Sequence, residues 1–224
     1  MKIHPFVEAI ASLQFEDCFN PYSDRCGVHD RRDAPQRRAA ALSAMLRRAT
    51  EEPLDAIWIG RDLGYRGGRR TGLALTDEVH MDQHARRWNL DPVGERPTIG
   101  SAVAERTAAV IWGMLEHIDA RIFLWNVFPL HPHETGEPFT NRKHNANERR
   151  AGEVLLQQLI ALLKPSRIVA IGNDAAASAH RISDALPVIC VRHPSYGGQT
   201  KFQAQILDLY GNSMRAQVLF EKLL

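Results

Sequence analysis

The chain has 224 residues, of which 44% are hydrophobic and 24% charged, and its formal net charge is +2. This length suits one domain, and the hydrophobic content is sufficient for a core. The small net charge argues against a uniformly basic nucleic-acid coat protein. No apolar run could span a bilayer, and Glu8, Glu16 and Asp17 interrupt the start where a signal peptide is apolar. We therefore expect a single-domain protein of the cytoplasm.

Helix signals recur along the chain and are bounded by capping and breaking residues. Pro53 ends the first predicted helix, and Ser101 suits the N-cap of the second, which carries a broad apolar stripe. Asn173 or Asp174 is expected to cap the fourth. The predicted helices cover residues 34–50, 101–118, 148–163, 173–185 and 200–223, the last with a break near Gly211.

Four apolar runs of strand length alternate with these helices, at residues 56–60, 122–126, 168–172 and 188–193. Each run has the length of a buried parallel strand, so Cys190 in the last run is expected in the core. The alternation predicts an α/β fold, a three-layer helix–sheet–helix sandwich with a central four-stranded, mostly parallel sheet. We expect one domain over residues 1–224, with a helical N-terminal extension at 1–53 and a core at 54–210.

Polar and basic residues gather where these strands end. Ligands of an open α/β sheet bind beyond the carboxyl ends of its strands, so Asp62, Asn126 and His193 are expected to converge there. The polar segment 131–147 is too long for an ordinary connection and is expected to face the ligand. The basic residues of these turns are Arg61, Arg66, Arg69, Arg70, Arg142, Lys143, Arg192 and Lys201.

The three cysteines give no pattern of a metal centre. Cys18 and Cys26 lie near His29, but four correctly spaced ligands for a structural zinc are missing. Three thiols cannot supply the four thiolates of an iron–sulfur cluster. We therefore expect neither a metal nor a cofactor.

Four motifs, one after each strand or leading into it, carry a resemblance to a known family. They are IGRDLGYRGGRRTG, LWNVFPLHP, PSRIVAIGNDAA and VRHPSYGG, in that order. Together they resemble the uracil-DNA glycosylase superfamily, in a form without an iron–sulfur cluster, over about residues 54–210. The resemblance implies a monofunctional DNA glycosylase that hydrolyses the N-glycosidic bond of a flipped uracil or modified pyrimidine and leaves an abasic site. DNA is the implied partner, and we expect the protein to act as a monomer.

The resemblance also assigns roles to the residues at the strand ends. Asp62 matches the residue beside the sugar, where a carboxylate stabilises the developing cation and orients water. His193 matches the histidine that donates a hydrogen bond to the base oxygen as negative charge develops there. Asn126 matches the asparagine whose amide offers both a donor and an acceptor to the base edge.

Further site residues follow from the same motifs. The base-binding candidates beside Asn126 are Gly60 and Leu75, with Tyr65 and Phe128 as alternative stacking platforms, because Leu75 stands where the family has an aromatic residue. The implied DNA-binding residues are Arg66, Arg69, Arg70, Ser195, Tyr196, Gly197 and Lys201. Tyr196 is the candidate wedge that enters the base stack. The chain departs from the family at Leu63, where a proline is usual, and at Leu75, where an aromatic residue would stack on the base. These departures leave the base open between uracil and a bulkier pyrimidine.

Three other functions remain as alternatives at this stage. A Rossmann-type nucleotide enzyme would share the βα alternation, but GYRGG is not the GxGxxG fingerprint. A hydrolase of free nucleosides would use the same chemistry, although the basic turns favour a polymer. A non-catalytic binder of damaged or modified DNA would keep the arginines, whereas the presence of Asp62 favours an enzyme.

Overall fold

A four-stranded parallel sheet lies at the centre of the protein. The computed structural model describes residues 2–92, 94–183 and 185–211. The strands in chain order are β1 (Cys18–Phe19), β2 (Ala56–Asp62), β3 (Ile122–Phe128), β4 (His131–Pro132), β5 (Arg167–Ile171) and β6 (Val188–Val191). The central sheet has the order β3-β2-β5-β6, and each neighbouring pair is parallel. β1 and β4 form a separate antiparallel pair.

Helices cover both faces of this sheet, which confirms the predicted α/β sandwich. They are α1 (Pro5–Ala11), α2 (Ala34–Ala49), α3 (Gly68–Thr71), α4 (Met81–Arg87), α5 (Arg106–Leu115), α6 (Ala146–Leu163), α7 (Asn173–Ile182) and α8 (Gln199–Tyr210). One face packs against α1, α2, α6 and α7, and the other against α5 and α8. Within the described residues no helix is both long and apolar enough to cross a membrane.

The strands form because their residues are apolar on both sides, as a covered parallel sheet requires. Every residue of β3 is buried, and Trp58 on β2 donates a hydrogen bond from Nε1 to the Tyr210 hydroxyl at 3.0 Å, which ties the sheet to α8. β6, at the opposite edge of the sheet from β3, is less covered, and only Val191 of its residues is buried. The expectation that Cys190 belongs to the core is therefore wrong: the residue is exposed.

The first helices belong to the same packed layer as the later ones. Phe6 and Ile10 of α1 and Leu42 and Leu46 of α2 are buried in the core cluster that lies on the β2 and β3 face. Burial of each such side chain stabilises the fold by about 1.5–3 kcal/mol. The segment predicted as an N-terminal extension thus covers the sheet directly.

The second predicted helix begins later than its apolar stripe suggests. α5 starts at Arg106 with Glu105 as N-cap residue, so the expectation that Ser101 caps it is wrong. The backbone amide of Val103 instead donates to the Glu78 carboxylate at 2.8 Å, and the amide of Glu105 donates to Asp77 at 2.6 Å. These two bonds hold the preceding segment outside the helix.

The other helix ends agree with the sequence to within a few residues. α2 and α6 match the predictions for residues 34–50 and 148–163. α7 is preceded by Gly172 in the N-cap position, so the expected caps Asn173 and Asp174 are its first helical residues. α8 covers the start of the predicted closing helix, whereas residues 212–223 lie outside the described residues.

Hydrogen bonds around the buried Glu148 anchor the end of the long polar segment 131–147. The Asn145 side chain caps α6 and accepts from the amides of Asn147 and Glu148, while the Glu148 carboxylate accepts from the Asn145 amide at 2.7 Å. The same carboxylate accepts two bonds from the Arg142 guanidinium, at 2.7 and 2.8 Å. Residues 142 and 145 are therefore both fixed to the first turn of α6.

Glu148→Gln should weaken this anchor and lower the free energy of unfolding by about 1.5–3 kcal/mol at pH 7, because charge-assisted bonds are lost. Burial alone would raise the pKa of Glu148, but the bonds from Arg142 and Asn145 lower it overall. The difference between wild type and variant should therefore shrink as the pH falls below the usual value of 4.5. Urea unfolding at several pH values measures it. A loss no larger than that of the exposed control Glu116→Gln would contradict the anchor.

Candidate active site

The register of β2 and β3 places the predicted site residues side by side. Gly60 is the parallel partner of Asn126, and Asp62 is the partner of Phe128. His193 follows the end of β6 and packs over Gly172 at the end of β5, whose backbone φ is +93°. A Cβ atom at Gly172 would lie 3.4 Å from the Cβ of His193. Asp62, Asn126 and His193 thus share the carboxyl edge of one sheet, as predicted from the strand ends.

Asn126 holds a buried amide without a partner. The residue is 1% exposed, and neither its Oδ1 nor its Nδ2 atom has a hydrogen-bond partner within the described residues. Buried polar groups are nearly always paired, so an unpaired donor and acceptor on one side chain indicate a ligand that supplies the opposite pattern. Gly60 makes room for this amide, because a Cβ atom there would lie 2.4 Å from Oδ1.

Leu75 lies beside the same amide. Its Cδ2 atom would be 2.9 Å from a Cβ atom at Gly60, so Leu75 and Asn126 meet over this one residue of β2. The backbone of Leu75 has a φ of +54°, and its carbonyl accepts a hydrogen bond from the Trp112 indole at 3.2 Å. Leu75 therefore lies beside the Asn126 amide, at the position where the sequence expected a base-binding residue.

The two other candidates for a base platform are placed differently. Phe128 is fully buried, with its ring against Phe15 and His144, so the expectation that it offers an open stacking face is wrong. Tyr65 is partly exposed in the turn after β2, and its backbone amide donates to Asn141 at 2.9 Å. Of the two platform candidates, Tyr65 is therefore the one that is not buried.

The Asp62 carboxylate is held by two cationic or potentially cationic groups. Its Oδ2 atom accepts from Arg61 Nε at 2.6 Å, and its Oδ1 atom accepts a short hydrogen bond from Nδ1 of His144. The side chain of Asp62 is only 5% exposed. Arg61 also contacts Asp174 at 3.2 Å, and Lys143 reaches the other oxygen of Asp174 at 2.5 Å. Asp62 is therefore oriented from both sides of its carboxylate.

His193 has a defined tautomer. The backbone amide of Ser195 donates to Nδ1 at 3.1 Å, and the Ser195 hydroxyl lies 2.7 Å from the same nitrogen. Because Nδ1 accepts, the hydrogen of the neutral ring lies on Nε2, which is left as a donor. Burial, together with the charges of Arg61 and Arg192, lowers the pKa of His193. The ring is therefore a neutral hydrogen-bond donor at neutral pH.

Two residues near the site had no signal in the sequence motifs. His144 stands at the end of the polar segment 131–147, and only the fold brings it to Asp62. Glu105 packs its carboxyl group against the turn after β2, where Gly67 leaves room for it. Burial, and to a lesser extent the charge of Asp77, raises the pKa of Glu105 to about 7. The turn that follows Asp62 thus rests on a carboxyl group whose burial disfavours its charged form.

Most of the predicted DNA-binding residues lie on accessible turns. Tyr196 is 97% exposed and has a φ of +51°, which projects its ring away from the protein body. Gly197, next to it, and Lys201, in the first turn of α8, are exposed as well, and Ser195 is partly exposed. Arg66 is exposed and donates to the Tyr65 hydroxyl at 2.9 Å. These residues lie on turns that follow β2 and β6, where a polyanion can reach them.

Arg69 and Arg70, however, do not lie on the surface. Arg69 is 3% exposed, stands 3.8 Å over the ring of Phe19 and contacts His131 at 3.0 Å. Arg70 is 9% exposed and pairs with Glu78 at 2.8 Å. The expectation that both contact phosphate is wrong, because their guanidinium groups are buried against protein partners and tie the first turn to neighbouring segments.

The cysteines take part in local contacts. Cys18 Sγ lies 3.3 Å from the Glu148 carboxylate, and Cys26 Sγ lies 3.6 Å from His29 Nδ1. Over the part of the chain that the structure describes, no three His, Cys, Asp or Glu side chains are grouped so as to hold a metal ion.

Comparisons with known proteins give a family and a fold. The family model described as the Uracil DNA glycosylase superfamily matches residues 54–213. The crystal structure of wild-type SMUG2 from Pedobacter heparinus matches with a TM-score of 0.59 and 12% sequence identity, over 91% of this chain and 96% of that chain. At this identity the structural match shows a shared fold. No curated protein matches the chain.

Gly60→Ala should disturb the Asn126 amide directly, since the added methyl group would lie 2.4 Å from Oδ1 and 2.9 Å from Leu75. Overpacking of this kind costs about 1–3 kcal/mol. We expect a shifted side-chain amide resonance of Asn126 and a lower unfolding midpoint. Gly113→Ala is the control, because a Cβ atom there meets nothing within 4 Å and α5 should gain stability. Equal behaviour of the two variants would contradict the close approach at Gly60.

The His193 ring should titrate with a midpoint below its usual value of 6.5. Arg192→Gln removes one positive charge near the ring, which makes the imidazolium less unfavourable, so the midpoint should rise. Nitrogen-15 NMR measures both the midpoint and the tautomer, for which we expect hydrogen on Nε2 at pH 7. A wild-type midpoint above 6.5, or hydrogen on Nδ1, would contradict the assigned state.

Proposed function

Because the chain belongs to the uracil DNA glycosylase superfamily, we propose that it is a monofunctional DNA glycosylase. The proposed reaction is hydrolysis of the N-glycosidic bond of a uracil or modified pyrimidine that has been flipped out of the DNA. Water adds to the sugar carbon, the base leaves with the bonding electron pair and takes up a proton, and an abasic site remains. No metal is required, and a single copy of the chain provides the proposed groups.

The unpartnered amide of Asn126 carries this proposal. A pyrimidine such as uracil has a ring N–H donor next to a carbonyl acceptor, and the buried Asn126 amide offers the opposite pair. A base bound against this amide would satisfy Oδ1 and Nδ2 together. The free energy that the folded protein loses by leaving both atoms unpaired would be recovered on binding. This favours recognition of a planar amide edge over recognition of a phosphate or a metal.

His193 is suited to stabilise the departing base. As the glycosidic bond breaks, negative charge develops on the base oxygens, and a neutral Nε2–H donor can stabilise that charge without first releasing a proton. Preorganised donors of this kind contribute about 2.7–4 kcal/mol to transition-state stabilisation. The bond from the Ser195 amide to Nδ1 supports this role, because it fixes the tautomer that has hydrogen on Nε2.

Asp62 is suited to the sugar side of the same bond. A carboxylate near the sugar stabilises the oxocarbenium-like transition state and can accept a proton from the attacking water. Lys143 is not suited to a lyase step through a Schiff base, because its amine is held in an ion pair with Asp174 at 2.5 Å instead of being free to attack the sugar. The charged groups therefore support hydrolysis alone.

The exposed turns provide the proposed DNA contacts. Lys201 and Arg66 can neutralise phosphates, and the backbone at Gly197 can approach a phosphate closely. Tyr196 stands clear of the protein and would fill the gap left in the base stack when the target nucleotide is extruded. Leu75 at the pocket wall keeps the base class open between uracil and bulkier pyrimidines.

Asp62→Asn should slow base release at least about 100-fold, because charge stabilisation at the sugar is lost, while DNA affinity stays within a few-fold. His193→Ala should reduce turnover similarly with the fold retained. The assay uses oligonucleotides with uracil, hypoxanthine, thymine mispairs and hypermodified pyrimidines, and mass spectrometry identifies the released base. Asp208→Asn on the exposed side of α8 is the control.

An unchanged rate for Asp62→Asn would contradict the assigned role of Asp62. Tight binding to one of these oligonucleotides with no base released from any of them would instead favour a non-catalytic DNA-binding protein. Loss of the folded state in His193→Ala, seen by thermal unfolding, would favour a structural role for that ring.

A further inference from the structure

We propose that His144 is a positioning residue that fixes the orientation of the Asp62 carboxylate for hydrolysis. This inference rests on the proposed function and adds a residue that the family motifs do not contain. His144 lies in the polar segment 131–147 and is separated from Asp62 by 82 positions in the chain. Its ring nevertheless places Nδ1 directly on Oδ1 of Asp62.

The contact is buried on both sides. The side chains of His144 and Asp62 are 3% and 5% exposed, so water competes little for their hydrogen bond. A carboxylate oxygen can only accept, which places a hydrogen on Nδ1 of the ring. Phe128 packs against the His144 ring edge to face, with the two ring centroids 6.3 Å apart. Phe128 is itself the strand partner of Asp62, so all three side chains lie at one point of the sheet edge.

His144 can position Asp62 because its own backbone is anchored on both sides. Arg142 is tied to the Glu148 carboxylate, and Asn145 caps α6 through the same glutamate. The ring is thus carried on a short, fixed piece of chain rather than on a free loop. A group that aligns a catalytic carboxylate needs such support, since a misplacement of about 1 Å can reduce a rate about 100-fold.

Arg61 alone would not fix the carboxylate. The side chain of Arg61 is 38% exposed and its guanidinium is shared between Asp62 and Asp174, so it holds only Oδ2 of Asp62 in a partly solvated contact. With His144 on Oδ1, the two oxygens have different partners in different directions, and the carboxylate cannot rotate without breaking one of the bonds. Because Asp62 acts in the transition state, loss of this alignment should appear in kcat rather than in KM.

Two substitutions separate the hydrogen bond from the packing. His144→Phe keeps a ring against Phe128 but removes the donor, whereas His144→Asn keeps a donor near the position of Nδ1 but removes the ring. We expect His144→Phe to lower kcat about 10- to 100-fold, with KM within about two-fold, and His144→Asn to stay within about three-fold of wild type. The readout is single-turnover and steady-state base release, with thermal unfolding of each variant. Wild-type activity in His144→Phe, or equal loss in both variants, would overturn the proposal.

A second comparison uses the Asp62→Asn background, in which a carboxylate is no longer there to be aligned. His144→Phe should lower kcat there by less than about two-fold, because residues that act as a unit are not additive. The full 10- to 100-fold loss in this background would show that His144 acts independently of Asp62, and would overturn the proposal.

A spectroscopic test needs neither activity nor a folded His144 variant. In the wild-type protein, the hydrogen on Nδ1 of His144 should give a resonance protected from solvent exchange, and Asp62→Asn should shift it. Absence of a protected Nδ1 hydrogen would overturn the positioning role. Failure of the wild-type protein to release any base, with this resonance present and shifted by Asp62→Asn, would instead show that the proposed function has failed while the Asp62–His144 unit exists.

Discussion

The hydrogen-bond register between β2 and β3 is the constraint on which the rest of the site depends. It places Gly60 opposite Asn126 and Asp62 opposite Phe128. A shift of one residue would move every side chain of one strand to the other face of the sheet, and the Asn126 amide would point into the helix layer. Trp58 of β2 packs on the face covered by α5 and α8, and Trp125 of β3 packs on the opposite face, so a one-residue shift of either strand would carry a large ring into the wrong helix layer. Packing on the two faces therefore helps to set the geometry at the sheet edge.

The charges around the sheet edge are arranged in alternating order. Asp62 pairs with Arg61, Arg61 also pairs with Asp174, and Asp174 pairs in turn with Lys143. Arg61 has a second effect, because its charge contributes to the lowered pKa of His193. One guanidinium thus holds one oxygen of the Asp62 carboxylate and, together with burial, disfavours the charged form of His193. A glycosylase needs both conditions together, with a negative group at the sugar and a neutral donor at the base.

The parts of the site that follow strand ends could be predicted from the sequence, and the parts that depend on long-range packing could not. Asp62 and Asn126 could be predicted because a short apolar run that ends in a polar residue marks the carboxyl edge of a parallel sheet. His144 had no such signal, since its loop lacks periodicity and its partner lies on another element. The prediction that Arg69 lies on the surface was wrong because a cluster of arginines has the same sequence pattern whether its side chains are solvated or buried. The exposure of Cys190 could not be predicted because an apolar run does not show how much of its strand the neighbouring elements cover.

In the proposed function, Leu75 shifts the recognition of the base from stacking to hydrogen bonding. An aromatic platform would contribute about 1–3 kcal/mol to binding of any base, with little discrimination. The isobutyl group of Leu75 offers no aromatic face, and its left-handed backbone is held by the bond from Trp112, so it forms a fixed wall beside Gly60. Binding free energy must then come mainly from the edge contacts of Asn126 and His193. Those contacts distinguish one base edge from another, because a mismatched edge would leave buried donors and acceptors unpaired. Selectivity in this site would thus depend on the polar edge of the base.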